Sequence, residues 1–391
     1  MLPKEFADGQ RRHVVRAERG YHAFVPPPLP PLLAWDQELI SALSGADRAL
    51  GRLAGAGRVL PNPHLLSQTL LRREAVVSSR IEGTQASLSD VVLYEASPET
   101  GHGDVREVFN YVQAIEHVLD PDRDRPLSLS LLGQAHRILL TGVRGNYATP
   151  GEFRRSPNWI GTPGCSLNDA RFVPPPPERL WECLDPFEKY LHAQHQLPPL
   201  IAVACIHYQF EAIHPFVDGN GRLGRLLIVL LLAEWGLLPE PMLDLSVYLE
   251  PRRDEYYARL LAVSTEGDWA GWIRFFLAAV THQAADAADR AQRLQELRDD
   301  LRGRMGSVGS ALPGRLVEEL FRSPATTITR AARHLGVTHR AARLNIAKLV
   351  AAGVLVEVPT RSRQKLFLAE EVLRVVEGRN PAVGRGQPPL P

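Results

Sequence analysis

Positions 214–225 read His-Pro-Phe-Val-Asp-Gly-Asn-Gly-Arg-Leu-Gly-Arg. The segment lies between two stretches of helical periodicity, Pro199–Ile213 and Gly221–Trp235, and therefore opens the second predicted helix. A helix N-terminus presents unpaired backbone N–H groups and the positive end of the helix dipole, which together attract anions. Gly219 and Gly221 let the backbone approach a phosphate closely, because neither residue carries a side chain. The segment thus predicts an anion site.

The charged side chains of this segment add reactive groups to the predicted anion site. Arg222 and Arg225 are three positions apart, so they share a helix face and can both bind phosphate oxygens. Asp218 supplies the hard oxygen ligand that suits Mg²⁺ beside phosphates, and His214 can accept a proton near neutral pH. This combination indicates phosphoryl or nucleotidyl transfer from a nucleotide–Mg²⁺ substrate.

Two other interpretations of the same residues are weaker. Gly219, Gly221 and Gly224 match the Gly-x-Gly-x-x-Gly fingerprint of dinucleotide-binding folds, and Glu240 follows about twenty residues later. That fingerprint requires a strand before the first glycine, whereas both flanks here are predicted helices. A glycine-rich turn with chance charges is the other alternative, but an acid, a histidine and two arginines rarely coincide in so short a segment.

The segment resembles the signature of the Fic/DOC family, His-Pro-Phe-x-(Asp/Glu)-Gly-Asn-Gly-Arg-x-x-Arg, and every defined position is present. The resemblance implies a helical Fic core and an enzyme that transfers the AMP moiety of ATP to a hydroxyl side chain. The implied acceptors are Tyr, Thr or Ser residues exposed on target proteins, including the enzyme itself. The implied cofactor is Mg²⁺, and ATP is the implied substrate.

The same resemblance implies a role for each residue of the motif. His214 would deprotonate the target hydroxyl, and Asp218 would hold Mg²⁺ on the α- and β-phosphates. The ATP phosphates would be bound by the remaining glycines, arginines and asparagine of the motif: Gly219, Asn220, Gly221, Arg222, Gly224 and Arg225. Within that set, Arg225 would bind the γ-phosphate.

A second segment, at about residues 64–83, resembles the family's inhibitory helix, whose pattern is (Ser/Thr)-x-x-x-Glu-(Gly/Asn). Ser78, Glu82 and Gly83 fill its three defined positions, and the first two share a helix face. The resemblance implies that Glu82 forms a salt bridge with Arg225. A carboxylate there competes with a phosphate oxygen for the same donors, which predicts autoinhibition. The alternative is a surface helix that simply ends at these residues.

Residues 151–177 are rich in Gly, Pro and Asn and contain two β-prone runs, Asn158–Ile160 and Arg171–Val173. They predict an exposed hairpin, and they resemble the family's flap, which docks a target segment by main-chain pairing. Farther along the chain, Tyr256 and Tyr257 are candidates for the adenine pocket. The alternative for this aromatic pair is packing in the core.

The composition is that of an ordinary soluble protein: 391 residues, 45% hydrophobic and 23% charged, with a net charge of +1. Cys165, Cys183 and Cys205 are too widely spaced for a disulfide framework or a zinc site, which favours a reducing compartment. The longest apolar run, Leu226–Ala233, is much shorter than the roughly 20 residues of a membrane span, and the N-terminus lacks a signal-peptide layout. We therefore expect a cytoplasmic protein with no membrane segment.

The periodicity along the chain predicts a mainly α protein. The resemblances imply a Fic-type helical core with a small β-hairpin flap, and a C-terminal winged helix domain. A Gly/Ser-rich stretch separates the two parts, and a Pro/Gly-rich stretch ends the chain. The predicted boundaries are a helical N-terminal region at 1–98, a catalytic core at 99–302, a linker at 303–314, a winged helix–turn–helix domain at 315–378 and a disordered tail at 379–391.

The C-terminal block carries a strong local excess of positive charge. Thr327–Leu349 reads as a helix–turn–helix, and the β-prone runs that follow resemble a wing. Eight basic residues and one acidic residue lie between Ala325 and Leu368, which favours contact with nucleic acid. The candidate contacts are Arg340, Arg343, Arg361, Arg363 and Lys365. The alternative is a winged helix used for dimerisation or target docking.

These observations favour a protein adenylyltransferase with an intramolecular glutamate brake. The rival hypothesis is a DNA-binding transcriptional regulator whose Fic domain serves as a nucleotide-responsive switch. Members of the family often dimerise, so the resemblance also implies a homodimer as one assembly state. The positive charge of the C-terminal block makes DNA a candidate partner of that block.

Overall fold

A computed structural model of the chain describes residues 1–59, 63–100, 103–123, 126–143, 148–162, 164–193, 196–306, 311–359 and 364–378. Within these ranges the protein is mainly helical, with few and short strands, as the sequence predicts. The predicted tail at 379–391, positions 307–310 of the predicted linker, and Arg361 and Arg363 lie outside the described residues.

The described residues form sixteen α-helices and five strands, which are numbered in chain order. The helices α1–α16 are Asp8–Arg11, Gln37–Val59, Pro63–Ile81, Leu88–Ala96, Gly103–Val118, Leu129–Leu139, Leu180–Leu191, Pro199–Ile213, Asn220–Glu234, Ser246–Leu249, Arg253–Glu266, Trp269–Met305, Leu312–Arg322, Ile328–Leu335, His339–Ala351 and Glu370–Glu377. The strands β1–β5 are Val14–Arg16, His22–Phe24, Ala325–Thr327, Val356–Val358 and Leu366–Leu368.

Helices α8 and α9 lie at the centre of the hydrophobic core. Nearly every side chain of both is buried, which explains why the apolar run Leu226–Ala233 shows no polar face. The long helix α12 packs along α2 and is tied to α8 by the Trp272 indole, which donates to the Ala204 carbonyl at 2.9 Å. The loop between α8 and α9 is therefore anchored at both ends by the most buried helices of the protein.

Helix α3 connects this core to the C-terminal block. Near its N-terminal end, the Thr69 hydroxyl donates to the carbonyl of Phe321 in α13 at 2.6 Å. One turn later, the Arg73 guanidinium binds the buried carboxylate of Asp244 at 2.6 Å. The helix ends at Ile81, so the segment that resembles an inhibitory helix is a packed element with neighbours along its length.

The C-terminal block consists of α13–α16 and a three-stranded antiparallel sheet in the order β3-β5-β4. The predicted helix–turn–helix elements are present as α14 and α15, joined through Gly336, which has a positive φ of 67°. Thr338 begins α15, because its side chain accepts the backbone N–H of Ala341 at 3.3 Å. Much of the predicted linker is helical, since α12 continues to Met305 and α13 begins at Leu312.

The hairpin predicted over 151–177 is present in a shorter form than expected. Its two β-prone runs pair antiparallel through a single β-bridge, between Ile160 and Phe172. The second run also pairs elsewhere, because the N–H of Phe24 in β2 donates to the carbonyl of Val173 at 2.9 Å. The flap is thus a bridged loop whose second half is held against the N-terminal strands.

Among the described residues, no helix is both long enough and apolar enough to span a membrane.

Candidate nucleotide site

His214 lies at the end of α8 in the left-handed region, with φ 49° and ψ 61°. Its ring atom Nδ1 is 3.3 Å from the carbonyl oxygen of Glu211, which can only accept, so Nδ1 carries the proton. Burial, together with the nearby charge of Arg154, lowers the pKa of His214 to about 4. The imidazole is therefore neutral at physiological pH, and Nε2 offers a lone pair to an incoming proton.

The backbone of His214 is held by a buried arginine that the sequence did not reveal. Arg154 donates from Nε to the carbonyl of His214 at 2.8 Å and from Nη2 to the carbonyl of Ile213 at 3.3 Å. Its Nη2 also donates to Pro175 at 2.6 Å, so the same guanidinium joins the flap to the end of α8. Carbonyls at a helix C-terminus lack hydrogen-bond donors within the helix, and the Arg154 guanidinium provides such donors here.

We call residues 214–219 the motif loop. It leads into α9 through Gly219, which begins the helix with a φ of 78° and has no side chain that could cap the first turn. The Asn220 side chain accepts from the Phe216 N–H and donates to the Phe216 carbonyl, both at 2.9 Å. This side chain closes the loop on itself, so only the backbone of Asn220 can serve a phosphate. Asp218 is partly exposed, and its carboxylate accepts the N–H of Gly219 at 2.6 Å.

The two arginines of the motif are both buried, with at most 4% of either residue exposed. Arg225 donates from Nε to the Ser78 hydroxyl at 2.8 Å and from Nη2 to the Glu82 carboxylate at 2.7 Å. Arg222 forms an ion pair of 3.5 Å between Nη1 and Glu107, but within the described residues its Nε and Nη1 have no hydrogen-bond partner. Arg225 is thus held by Ser78 and Glu82 and keeps one buried Nη1 without a hydrogen-bond partner, whereas Arg222 has two such buried nitrogens to offer an anion.

The predicted contact between Glu82 and Arg225 is present, and it lies directly on the N-terminus of α9. A β-carbon placed on Gly221 would come within 2.4 Å of Glu82 Oε1, so the carboxylate rests against this glycine. Burial opposes ionisation of Glu82, but the charge of Arg225 and its hydrogen bond lower the pKa of the carboxyl overall. Gly83, with a φ of 100°, lets the chain turn away immediately afterwards.

Gly224 does not face the anion site that its place in the motif suggested. A β-carbon there would lie 2.3 Å from Oε1 of Glu211 in α8, and its carbonyl accepts from Nδ1 of His207 at 3.0 Å. The residue lacks a side chain because α8 and α9 approach each other closely at this point. Its expected role in phosphate binding is therefore replaced by a role in helix packing.

Tyr256 does not lie where the prediction of an adenine pocket expects it. It is 1% exposed, and its hydroxyl lies 2.8 Å from Nε2 of His207, so it belongs to the core. The direction of its ring on α11 could not be read from an adjacent pair of tyrosines. Tyr257 is half-buried beside the Arg253 guanidinium and stays a candidate for contact with the adenine ring of ATP.

The flap is fixed to the motif loop by Asn158. Its side-chain amide donates to the carbonyls of Phe216 and Val217 at 3.0 and 3.1 Å. Neither Asn158 nor Arg154 carried a functional signal, because both act through backbone carbonyls, which leave no trace in a side-chain pattern.

The residues predicted to contact nucleic acid differ in whether their charges are already paired within the protein. Arg340 and Arg343 are exposed on α15, and no ion pair involving them occurs among the described residues. Lys365 is engaged, because its Nζ lies 2.7 Å from the Glu357 carboxylate.

Two segments of the chain match known protein families. Residues 40–120 match the Fic/DOC family N-terminal region, and residues 126–232 match the Fic/DOC family. The second match contains the whole motif loop and ends within α9.

Curated relatives carry the name protein adenylyltransferase Fic. That of Drosophila yakuba is 35% identical over 138 residues, which cover 35% of this chain and 24% of the relative. That of Drosophila virilis is 36% identical over 138 residues, covering 35% and 25%. The chain thus spans about a quarter of the length of these relatives.

Solved structures share the fold. A Fic family protein from Desulfovibrio desulfuricans aligns with a TM-score of 0.56 and 20% identity, over 92% of this chain and 100% of its own. A Fic domain-containing signaling protein from Bacteroides thetaiotaomicron aligns with a TM-score of 0.50 and 18% identity, over 66% and 97%. These alignments confirm the predicted fold class.

Proposed function

We propose that this chain, which belongs to the Fic/DOC family, transfers the AMP moiety of ATP to a hydroxyl side chain of target proteins. One observation carries the proposal: a neutral histidine, a helix N-terminus and a buried arginine with two nitrogens that lack hydrogen-bond partners among the described residues lie within nine consecutive residues, 214–222. The names of the relatives support the same reaction. The acceptor is a Tyr, Thr or Ser residue, on another protein or on the chain itself.

His214 is the general base of the proposed reaction. Its Nε2 takes the proton of the target hydroxyl while the hydroxyl oxygen bonds to the α-phosphorus of ATP. The bond from that phosphorus to the β-phosphate oxygen breaks, and diphosphate leaves. Arg154 contributes indirectly, because it fixes the backbone from which the imidazole projects.

The phosphates bind at the first turn of α9, with the backbone N–H groups of Asn220 and Gly221 and the Arg222 guanidinium as donors, while Gly219 lets the backbone approach them closely. Asp218 would hold Mg²⁺, which would neutralise phosphate charge there. The donor set fits, since Mg²⁺ commonly binds one or two carboxylates together with substrate phosphates. The described residues contain no cluster of three or more acidic, histidine or cysteine side chains that could form a cage without the nucleotide.

Glu82 restrains this reaction by occupying Arg225. The γ-phosphate and the carboxylate need the same guanidinium, and the carboxylate also rests on Gly221, where a phosphate would approach. ATP that cannot place its γ-phosphate on Arg225 is held in a position that does not align the α-phosphorus with the acceptor.

The test is incubation with Mg²⁺ and α-labelled ATP, with wild type, Glu82→Gly and Glu82→Gly/His214→Ala compared for label on protein. We expect label with Glu82→Gly and a loss of about 10²–10⁴-fold in the double variant. Wild type is expected to incorporate less label than Glu82→Gly. If no variant is labelled although the folded protein binds ATP, the rival nucleotide-responsive DNA regulator becomes the better hypothesis.

We further propose that the C-terminal block is a winged helix domain that binds duplex DNA. The exposed face of α15 carries Arg340, Arg343 and Lys348, for which no ion pair exists among the described residues. A cationic helix face of this kind suits phosphate contacts beside a groove.

Binding of a fluorescent random-sequence duplex, measured across salt concentrations, tests this second proposal. Arg340→Ala/Arg343→Ala should reduce the salt slope of the affinity by about two, since each phosphate contact contributes about one. The exposed pair Arg16 and Arg52, changed to alanine, is the control and should leave the slope unchanged. Absence of binding at low salt would instead favour a protein-docking role.

A further inference from the structure

We propose that His136 is a positioning residue of the transfer reaction, which fixes the peptide that carries Asp218 and joins it to the flap. The proposal rests on the proposed function, in which Asp218 holds Mg²⁺. His136 lies in α6, far from the motif loop in sequence, and its side chain is fully buried. An isolated histidine on a helix carries no functional signal in a sequence.

The ring of His136 contacts three residues of the motif loop. Its Nε2 lies 2.9 Å from the backbone carbonyl oxygen of Asp218. Its plane stacks on Phe216, with ring centroids 3.8 Å apart and 14° between the planes. A β-carbon on Gly219 would lie 3.5 Å from the same ring, so the imidazole fills the inner side of the loop.

The opposite edge of the ring holds the start of the flap. The backbone N–H of Gly151 donates to Nδ1 of His136 at 2.8 Å. Gly151 has a φ of 87°, and a β-carbon on it would lie 2.9 Å from the carbonyl oxygen of Gly133 in α6. The flap therefore begins in close contact with the helix that carries His136.

These two partners define the tautomer of the imidazole. Because Gly151 donates to Nδ1, that nitrogen carries a lone pair, and the proton is on Nε2. The Nε2–H group then donates to Asp218, whose carbonyl can only accept. One ring thus receives a hydrogen bond from the flap and passes one to the motif loop.

The geometry links His136 to the carboxylate of Asp218 through one peptide plane. The carbonyl that accepts from His136 belongs to the same peptide as the N–H of Gly219, and that N–H binds Oδ1 of Asp218 at 2.6 Å. Rotation of this peptide would break both bonds at once. His136 therefore sets where the carboxylate stands relative to the first turn of α9, without touching the substrate.

Two substitutions separate this role from simple packing. In the Glu82→Gly background, His136→Phe keeps a ring on Phe216 but removes both hydrogen bonds, whereas His136→Gln keeps a donor and an acceptor but removes the ring. We expect His136→Phe to raise the Mg²⁺ concentration for half-maximal labelling about 10–100-fold. His136→Gln should remain closer to the parent. The reverse order, or an unchanged Mg²⁺ midpoint in His136→Phe, would overturn the proposal.

His207→Phe is the matched control, because His207 is also fully buried and also bonds a carbonyl of the motif, that of Gly224. It should lower thermal stability without moving the Mg²⁺ midpoint. An equal shift in both variants would show a general loss of packing and would count against His136.

A binding measurement keeps the test independent of transfer. Calorimetric titration of ATP with and without Mg²⁺ should show that His136→Phe loses most of the Mg²⁺-dependent gain in affinity, while affinity without Mg²⁺ changes little. This result can be obtained even if no label is ever transferred, so failure of the proposed reaction and failure of this inference are distinguishable. Should His136→Phe not fold, ¹⁵N NMR of the parent decides, because a proton on Nδ1 of His136 would contradict the proposed contacts.

Discussion

Arg222 and Arg225 lie about one turn apart on α9, and both are buried, yet their partners differ. Arg225 is bound by the hydroxyl of Ser78 and the carboxylate of Glu82, and its Nη1 lacks a hydrogen-bond partner among the described residues. Arg222 pairs with Glu107 at 3.5 Å, and both its Nε and its Nη1 lack a hydrogen-bond partner there. The base, the helix N-terminus and Arg222 are therefore already arranged. In the proposed mechanism, Glu82 therefore blocks one point of the phosphate site and leaves the rest assembled.

Between the two arginines, the larger effect should come from removing Arg222, whose Nε and Nη1 have no hydrogen-bond partner among the described residues. Arg222→Ala in the Glu82→Gly background removes a charge-assisted contact with phosphate, worth about 1.5–3 kcal/mol, so kcat/KM should fall about 10–150-fold. Arg225→Ala should weaken ATP binding in the Glu82→Gly background but have little effect in wild type, where Glu82 already blocks it. Labelling rates at several ATP concentrations check the first statement. Calorimetric titration of ATP into wild type, Arg225→Ala, Glu82→Gly and Glu82→Gly/Arg225→Ala checks the second. Equal losses from Arg225→Ala in the two backgrounds would remove the distinction between the arginines.

A smaller effect should follow from Ser78→Ala. The Nε donor of Arg225 would lose its buried acceptor, so the free energy of unfolding should fall by about 1–3 kcal/mol. Labelling should rise less than in Glu82→Gly, because the ion pair to Glu82 stays. Ser79→Ala is the matched control, since the buried Ser79 hydroxyl has no hydrogen-bond partner among the described residues. If Ser78→Ala incorporated as much label as Glu82→Gly, the serine rather than the carboxylate would be the inhibitory group.

The smallest effect is a pH dependence of stability. The fold lowers the pKa of Glu82 below its ordinary 4.5, so the ionised carboxylate stabilises the fold above that pH. The difference in free energy of unfolding between wild type and Glu82→Gln should be constant near neutral pH and shrink as the pH falls below about 4.5. Denaturant titrations at several pH values measure it. Parallel profiles for the two proteins would show that Glu82 is not ionically bound to Arg225.

The sequence was informative where function depends on side chains close together in the chain. The motif loop, its helix and the face shared by Ser78 and Glu82 followed from spacing alone, and the structure places Glu82 on Arg225. Arg154 and His136 were not predictable as site residues, because each acts on backbone carbonyls of a distant segment. Which way the Tyr256 side chain points depends on how α11 packs against the core. The second flap run is shared between two partners, because Phe172 bonds Ile160 and Val173 bonds Phe24 in β2.

If Glu82 inhibits as proposed, its contact with Arg225 implies an equilibrium between paired and released molecules. Only released molecules would then accept the γ-phosphate, so the apparent dissociation constant for productive ATP would be the intrinsic constant divided by their fraction. If about one molecule in a hundred is in that state, productive binding weakens about 100-fold. A partner that favours the released population would therefore raise the apparent affinity for ATP without contacting the nucleotide.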